Sequence, residues 1–122
     1  MKSQVLLVED DEMCQEIVAE FLSELNVDVT VVGDGIQALS ALETHYFDVI
    51  LMDIMMPHMD GIEATTKIRA LADTGKAKTP VVAITARNPD TDQEVWFAVG
   101  VNGFVGKPFS EEEFVQVVSP YI

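Results

Sequence analysis

Residues 50–61, ILMDIMMPHMDG, decide the fold. Together with Val49, the stretch opens as an apolar run that ends at Met52. Four consecutive apolar residues are too few for a helix, and a strand covered on both faces reads this way. The run stops at Asp53, which puts a carboxylate at the strand's carboxyl end. A loop from Asp53 to Asp60 contains Pro57, a residue that interrupts regular structure. Gly61 then opens a helix expected to reach about Ala72, with Ile62, Ala64 and Ile68 apolar.

The same strand-then-helix unit repeats in both directions. Upstream, Val5–Val8 is a strand, and Asp11 to about Leu25 is a helix. Cys14, Ile17, Val18, Phe21, Leu22 and Leu25 are expected on one face of that helix. Val27–Val32 is the second strand, and Asp34 or Gly35 opens a helix through Ala38, Leu39 and Leu42. Downstream, Val81–Ile84 is the fourth strand, behind Pro80. Pro89 and Asp90 start a shorter fourth helix ending near Gly100, and Phe104–Val105 is the last strand. Ser110 caps a fifth helix with Glu111, Glu112 and Glu113 in its first turn, where the helix dipole favours acids. Five βα units with short connections force an α/β fold, a five-stranded parallel sheet with helices on both faces. The reading is one domain over residues 1–122, with no linker or repeat and no output domain in this chain.

Composition narrows the function. The chain has 21 acids against 7 bases, a formal charge of −14. Nucleic-acid binding needs basic patches, and this field repels phosphates. No apolar run approaches the ~18–20 residues of a membrane span, and the start, MKSQVLLVED, does not read as a signal peptide. Cys14 is the single cysteine, read as a small buried hydrophobe. The expectation is a cytoplasmic protein that binds neither nucleic acid nor membrane.

In open parallel sheets, ligands bind beyond the carboxyl ends of the strands. Glu9, Asp10 and Asp11 follow the first strand, Asp53 the third, Thr85 the fourth and Lys107 the fifth. Asp11 reads as the cap of the first helix. Glu9, Asp10 and Asp53 together carry three negative charges, and Lys107 returns one positive charge. Carboxylates that close raise each other's pKa unless something neutralises them. A hard divalent cation does so, and magnesium prefers a few carboxylates with waters and phosphate oxygens.

The segments VLLVEDD, ILMDIMMPHMDG, VVAITA and GFVGKPF resemble, in order and spacing, the signature of response-regulator receiver domains. The resemblance covers essentially the whole chain. It implies a doubly wound, flavodoxin-like (βα)5 fold with the strand order 2-1-3-4-5 of chemotaxis receivers. It implies a phosphoacceptor switch of a two-component system or phosphorelay, with Asp53 as the nucleophile. Asp10, Asp53 and the backbone carbonyl of Met55 are then expected to ligate Mg2+, with Mn2+ as the alternate ion, and Glu9 to act mainly through water. Thr85 and Lys107 are expected to hold phosphoryl oxygens. Phe104 matches the switch aromatic, moving as Thr85 moves, and the Lys107–Pro108 bond is expected to be cis. The implied donor is a histidine kinase or a histidine phosphotransfer protein. Such a chain is no enzyme beyond catalysing its own phosphorylation and dephosphorylation. HMDGIEATTKIR looks like the receivers of multi-step relays.

Some positions depart from the common pattern or vary within it. Glu9 stands where many members have aspartate, and Phe104 has no hydroxyl. Met55 and Arg87 occupy positions that tune phosphoryl lifetime. Met55 offers no polar group to orient water, so slow self-hydrolysis is expected, quickened in Met55→Asn. Glu12, Glu16, Glu20 and Glu24 recur every fourth residue on the first helix. Like charges at that spacing cost about a few tenths of a kcal/mol per pair, so the stripe is either a solvated face or a site for a basic partner. On the fourth helix Phe97 is expected in the core, and Val95 and Trp96 at a partner or dimer contact. The surface formed by the fourth helix, fifth strand and fifth helix is the expected route to a homodimer or effector.

The rival reading is a small dinucleotide-binding domain using Gly33, Gly35 and Ala38, which fit G-x-G-x-x-G/A. It leaves Glu9, Asp10 and Lys107 without a role. A phosphate loop at Gly100–Lys107 has one residue too many, and Pro108 stands where the metal-binding hydroxyl belongs. A phosphohydrolase would want an acid where Met55 sits. His45 and His58 do not form a metal pair by position.

Overall fold

β3, Val49–Asp53, is buried at every residue, as its unbroken apolar run requires. It lies at the centre of a five-stranded sheet with β1 (Ser3–Val8), β2 (Val27–Val32), β4 (Val81–Thr85) and β5 (Gly103–Gly106). The order is β2-β1-β3-β4-β5, and every pairing is parallel. The computed structural model describes residues 2–54, 61–85, 96–106 and 109–122, apart from the side chain of Thr85.

Alternation along the strands builds two cores. Leu6, Val8, Ile50, Met52, Val81 and Ala83 face α2 (Gly35–Thr44), α3 (Gly61–Arg69) and α4, described over residues 96–99. Val5, Leu7, Val49, Leu51, Val82 and Ile84 face α1 (Glu12–Ser23) and α5 (Glu111–Val118). This is the doubly wound fold that the sequence implied, and it exposes the carboxyl ends of β1, β3 and β4 along one rim.

Local chemistry sets the helix starts. Asp11 caps α1 by accepting from the Met13 N–H at 3.2 Å, Asp34 caps α2 through Gln37 at 2.9 Å, and Ser110 caps α5 through Glu113 at 3.1 Å. α4 ends in a Schellman motif. Gly100, at φ 104°, donates to Phe97 O at 3.1 Å, and Val101 donates to Trp96 O at 3.0 Å.

That motif reverses one expectation. It brings Trp96 over Val101 in the core, where Trp96 is fully buried. Phe97, about 100° further round the helix, is 46% exposed. Trp96 is therefore a core residue and not a partner contact, while Phe97 is the surface aromatic. Val95 lies outside the described residues. Ile17 was expected on the buried face of α1 but is exposed, because Cys14, Val18 and Leu22 at four-residue spacing take the stripe. α3 ends at Arg69, short of Ala72, and a one-turn helix at Thr74–Ala77, capped by Asp73, went unread.

Candidate functional site

β1 and β3 are neighbours, with Val8 opposite Met52, so the residues beyond them meet at the rim. Ligating oxygens of Glu9, Asp10 and Asp53 all lie within 4.8 Å of one another. Glu9 is fully buried, Asp53 is 4% exposed, and Asp10 is exposed. Burying two carboxylates this close is costly. Two unit charges about 4 Å apart repel by roughly 4 kcal/mol at an effective dielectric of about 20. Hard oxygen donors with this excess of negative charge suit a hard divalent cation, so the residues present fit magnesium. A Glu9 carboxylate oxygen lies within the same 4.8 Å grouping as those of the two aspartates, so a role through water alone is not imposed by distance.

Backbone contacts hold these side chains in place. The Glu9 N–H continues the ladder to Val32 O at 3.0 Å, and the Asp11 N–H donates to Glu9 Oε1 at 3.1 Å. The Gln15 side chain reaches back from α1 and donates to the Glu9 carbonyl at 2.6 Å. Under Asp53, α3 starts in direct contact with the strand. A Cβ on Gly61 would lie 2.6 Å from the Asp53 carbonyl oxygen, and its N–H donates to Ile54 O at 3.0 Å. Only glycine fits there without displacing the acceptor strand. The sequence reading used Gly61 only to open a helix, and it assigned Gln15 nothing.

Thr85 ends β4 opposite Gly106, so both strands finish at this rim. Its side chain, Met55, Arg87, Lys107 and Pro108 all lie outside the described residues, as does the expected cis bond. Phe104 is half-buried on β5, with ring centroids 5.8 Å from Trp96 and 6.2 Å from Phe97. The glycine turn of the rival reading serves α2 instead. The Gly33 N–H donates to Gln37 Oε1 at 2.8 Å, and the Gln37 N–H donates to Asp34. Those amides are already engaged within the chain.

The family pattern of the response regulator receiver domain matches residues 5–119. The chain belongs to that family. It is a phosphoacceptor module of two-component signalling, and nothing favours the dinucleotide reading. The chain is 39% identical over 121 residues to the transcription factor SKN7 of Candida albicans, covering 99% of itself and 21% of that protein. It thus spans about a fifth of the length of the first curated relatives. The receiver domain of sensor histidine kinase PA1611 from Pseudomonas aeruginosa superposes with a TM-score of 0.88 at 35% identity, covering 99% and 98% of the two chains. That structure has a magnesium ion coordinated in its active-site cleft. The chemotaxis response regulator CheY4 of Vibrio cholerae gives 0.90 at 28% identity, with complete coverage of both chains. Receivers also occur in relatives that are histidine kinases. Among the described residues, no helix is long and apolar enough to cross a membrane.

Proposed function

We propose that Asp53 is the residue that accepts the phosphoryl group, and that Glu9, Asp10 and Asp53 hold Mg2+ beside it. The observation that carries this reading is the convergence of three carboxylates at one rim of a receiver. An Asp53 oxygen attacks the phosphorus of a phosphohistidine, and the N–P bond breaks. The electron pair passes to the imidazole nitrogen, which takes up a proton. The product is an acyl phosphate. Water attack at phosphorus later breaks the P–O bond and returns carboxylate and inorganic phosphate. The chain acts only on its own phosphorylation state and has no separate substrate.

The bound cation would neutralise the developing charge; Mn2+, which also favours carboxylate oxygen, is the alternate ion. Glu9 is read as a direct or water-bridged holder, with the Met55 carbonyl as a further ligand. The Thr85 hydroxyl and Lys107 ammonium are assigned to the phosphoryl oxygens by the place of Thr85 as the last residue of β4 and of Lys107 as the residue that follows β5 in the sequence. Attraction of Thr85 frees space for Phe104 to turn, which alters its contacts with Trp96 and Phe97. The surface of α4, β5 and α5 then presents a changed face to an effector or a second copy, with Phe97 in the contact role first given to Trp96. Met55 and Arg87 tune how long the phosphoryl group lasts.

The donor is a histidine kinase or histidine phosphotransfer protein in the cytoplasm. Exposed Met13 and Ile17 on α1, beside Glu12, Glu16 and Glu20, suit an apolar donor surface rimmed with basic groups. Phosphotransfer that slows with added salt supports this docking.

The test is intact mass after incubation with a small acyl phosphate donor and magnesium. The native chain gains one phosphate, and Asp53→Asn gains none. Label on Asp53→Asn, or none on the native chain, overturns the assignment.

A further inference from the structure

The structure assigns Gln15 as a positioning residue for the acid pair Glu9–Asp10: its side-chain amide clamps the peptide that joins them. The inference rests on the proposal that this pair holds the cation, and it concerns only how the pair is aimed. Gln15 sits in the first turns of α1, where its own N–H makes an intrahelical bond to Asp11 O at 2.9 Å. Helical side chains lean toward the helix N-terminus, so Gln15 points back over the β1–α1 turn. There its Nε2 donates to the Glu9 carbonyl at 2.6 Å. The other side of Glu9 is pinned by β2, through its N–H to Val32 O at 3.0 Å.

That carbonyl belongs to the Glu9–Asp10 peptide plane. The plane is rigid, so fixing its oxygen fixes the direction in which Asp10 leaves it. Turning the plane would move Asp10 relative to Glu9, whose carboxylate is held separately by the Asp11 N–H at 3.1 Å. Gln15 therefore acts on the spacing of two of the three carboxylates that lie within 4.8 Å of one another. It does so with a neutral donor. A lysine or arginine here would bring a positive charge that competes with the cation, whereas an amide orients without competing. Supporting groups of this kind around metal ligands typically govern affinity by about 10–100-fold.

The variant Gln15→Met keeps the chain length, the absence of branching and the helix propensity, and loses only the donor. Titration of the protein with magnesium alone, by calorimetry, should show at least about tenfold weaker binding. Far-ultraviolet circular dichroism without metal should be unchanged. In labelling by a small acyl phosphate, the magnesium concentration for half-maximal rate should rise by the same factor, while the rate at saturating magnesium recovers. Gln15→Glu, which sets an acceptor against an acceptor, makes the same test if Gln15→Met does not fold. Magnesium affinity within twofold of native in a folded variant overturns the clamp, as does a rate that stays low at saturating magnesium. Failure of the native chain itself to bind magnesium would strike the proposed function instead.

Discussion

The two ends of the sheet follow opposite rules. At the carboxyl end, like charges are gathered, with Glu9 and Asp53 buried beside Asp10. At the amino end, charges are neutralised or shared out. Arg69 spends all five of its N–H groups there. Nη1 donates to Ala77 O at 2.9 Å and to Thr79 O at 2.7 Å. Nε and Nη2 donate to Gly100 O at 3.2 and 2.7 Å, and Nη2 also donates to Asn102 Oδ1 at 2.9 Å. Burial pulls the guanidinium below its ordinary pKa, yet it remains a cation. Tyr46 adds a second tie through its hydroxyl bond to Asp73, with Lys76 4.8 Å above its ring. Gln4 adds a third: its N–H donates to the Asp48 carboxylate Oδ2, and its carbonyl accepts from the Asp48 N–H, both at 2.7 Å. One end gathers negative charge, an electrostatic strain that a divalent cation can relieve. The other supplies the rigidity that keeps that strain in place.

The contrast can be broken at either end. The largest expected effect is Asp53→Asn, which abolishes labelling by a small acyl phosphate. It should leave urea stability equal or higher, because one of three crowded charges is gone. Equal labelling or a large loss of stability would mean that the rim is not strained in this way.

Arg69→Met should do the reverse. It leaves three backbone carbonyls, on the two connections that precede β4 and β5, without their donor, and should cost about 2–4 kcal/mol in urea unfolding. The folded fraction should still take up label. A loss below about 0.5 kcal/mol would remove Arg69 as the basal tie.

Magnesium removal should destabilise only through the rim. Relative to the metal-free chain, saturation at one hundred times Kd adds about 2.7 kcal/mol, read as a rise in unfolding midpoint. Asp53→Asn should lose most of that rise, and Arg69→Met should keep it.

The smallest effect concerns pH. The Tyr46 hydroxyl, followed by the Lys76 N–H, holds the Asp73 carboxyl below its ordinary value of 3.8. That contribution is complete above the unfolded value and is lost as pH falls through the folded one. The Asp73 bond, then its charge, raises the Tyr46 hydroxyl above 10.0, so its share is present below 10 and lost as pH rises further. Tyr46→Phe should flatten the native decline in urea midpoint on acidification below about pH 4. Both groups are exposed, so the difference should be slight. Superimposable native and Tyr46→Phe profiles would show that the tie adds nothing.

The sequence was read well where periodicity speaks alone. β3 is legible because both its faces are covered, and Asp11, Asp34 and Ser110 are legible because capping is a local bargain between side chain and amide. Trp96 and Phe97 are adjacent and both apolar, so composition could not phase the helix. The turn at Gly100–Val101 phased it. Thr74–Ala77 is too short to show a period. Gln15 carries no signal in the pattern, because its partner lies across a loop at the end of another element.

By itself, the sequence determined the order of five βα units and which residues stand at the strand ends. Short connections force parallel strands with helices on both faces, and the strand order came with the family resemblance. Only the tertiary structure decided that Glu9 and Asp53 are buried side by side, and that Gln15 and Gly61 hold the backbone beneath them. Those facts depend on distances between residues far apart in the chain, which no local pattern encodes.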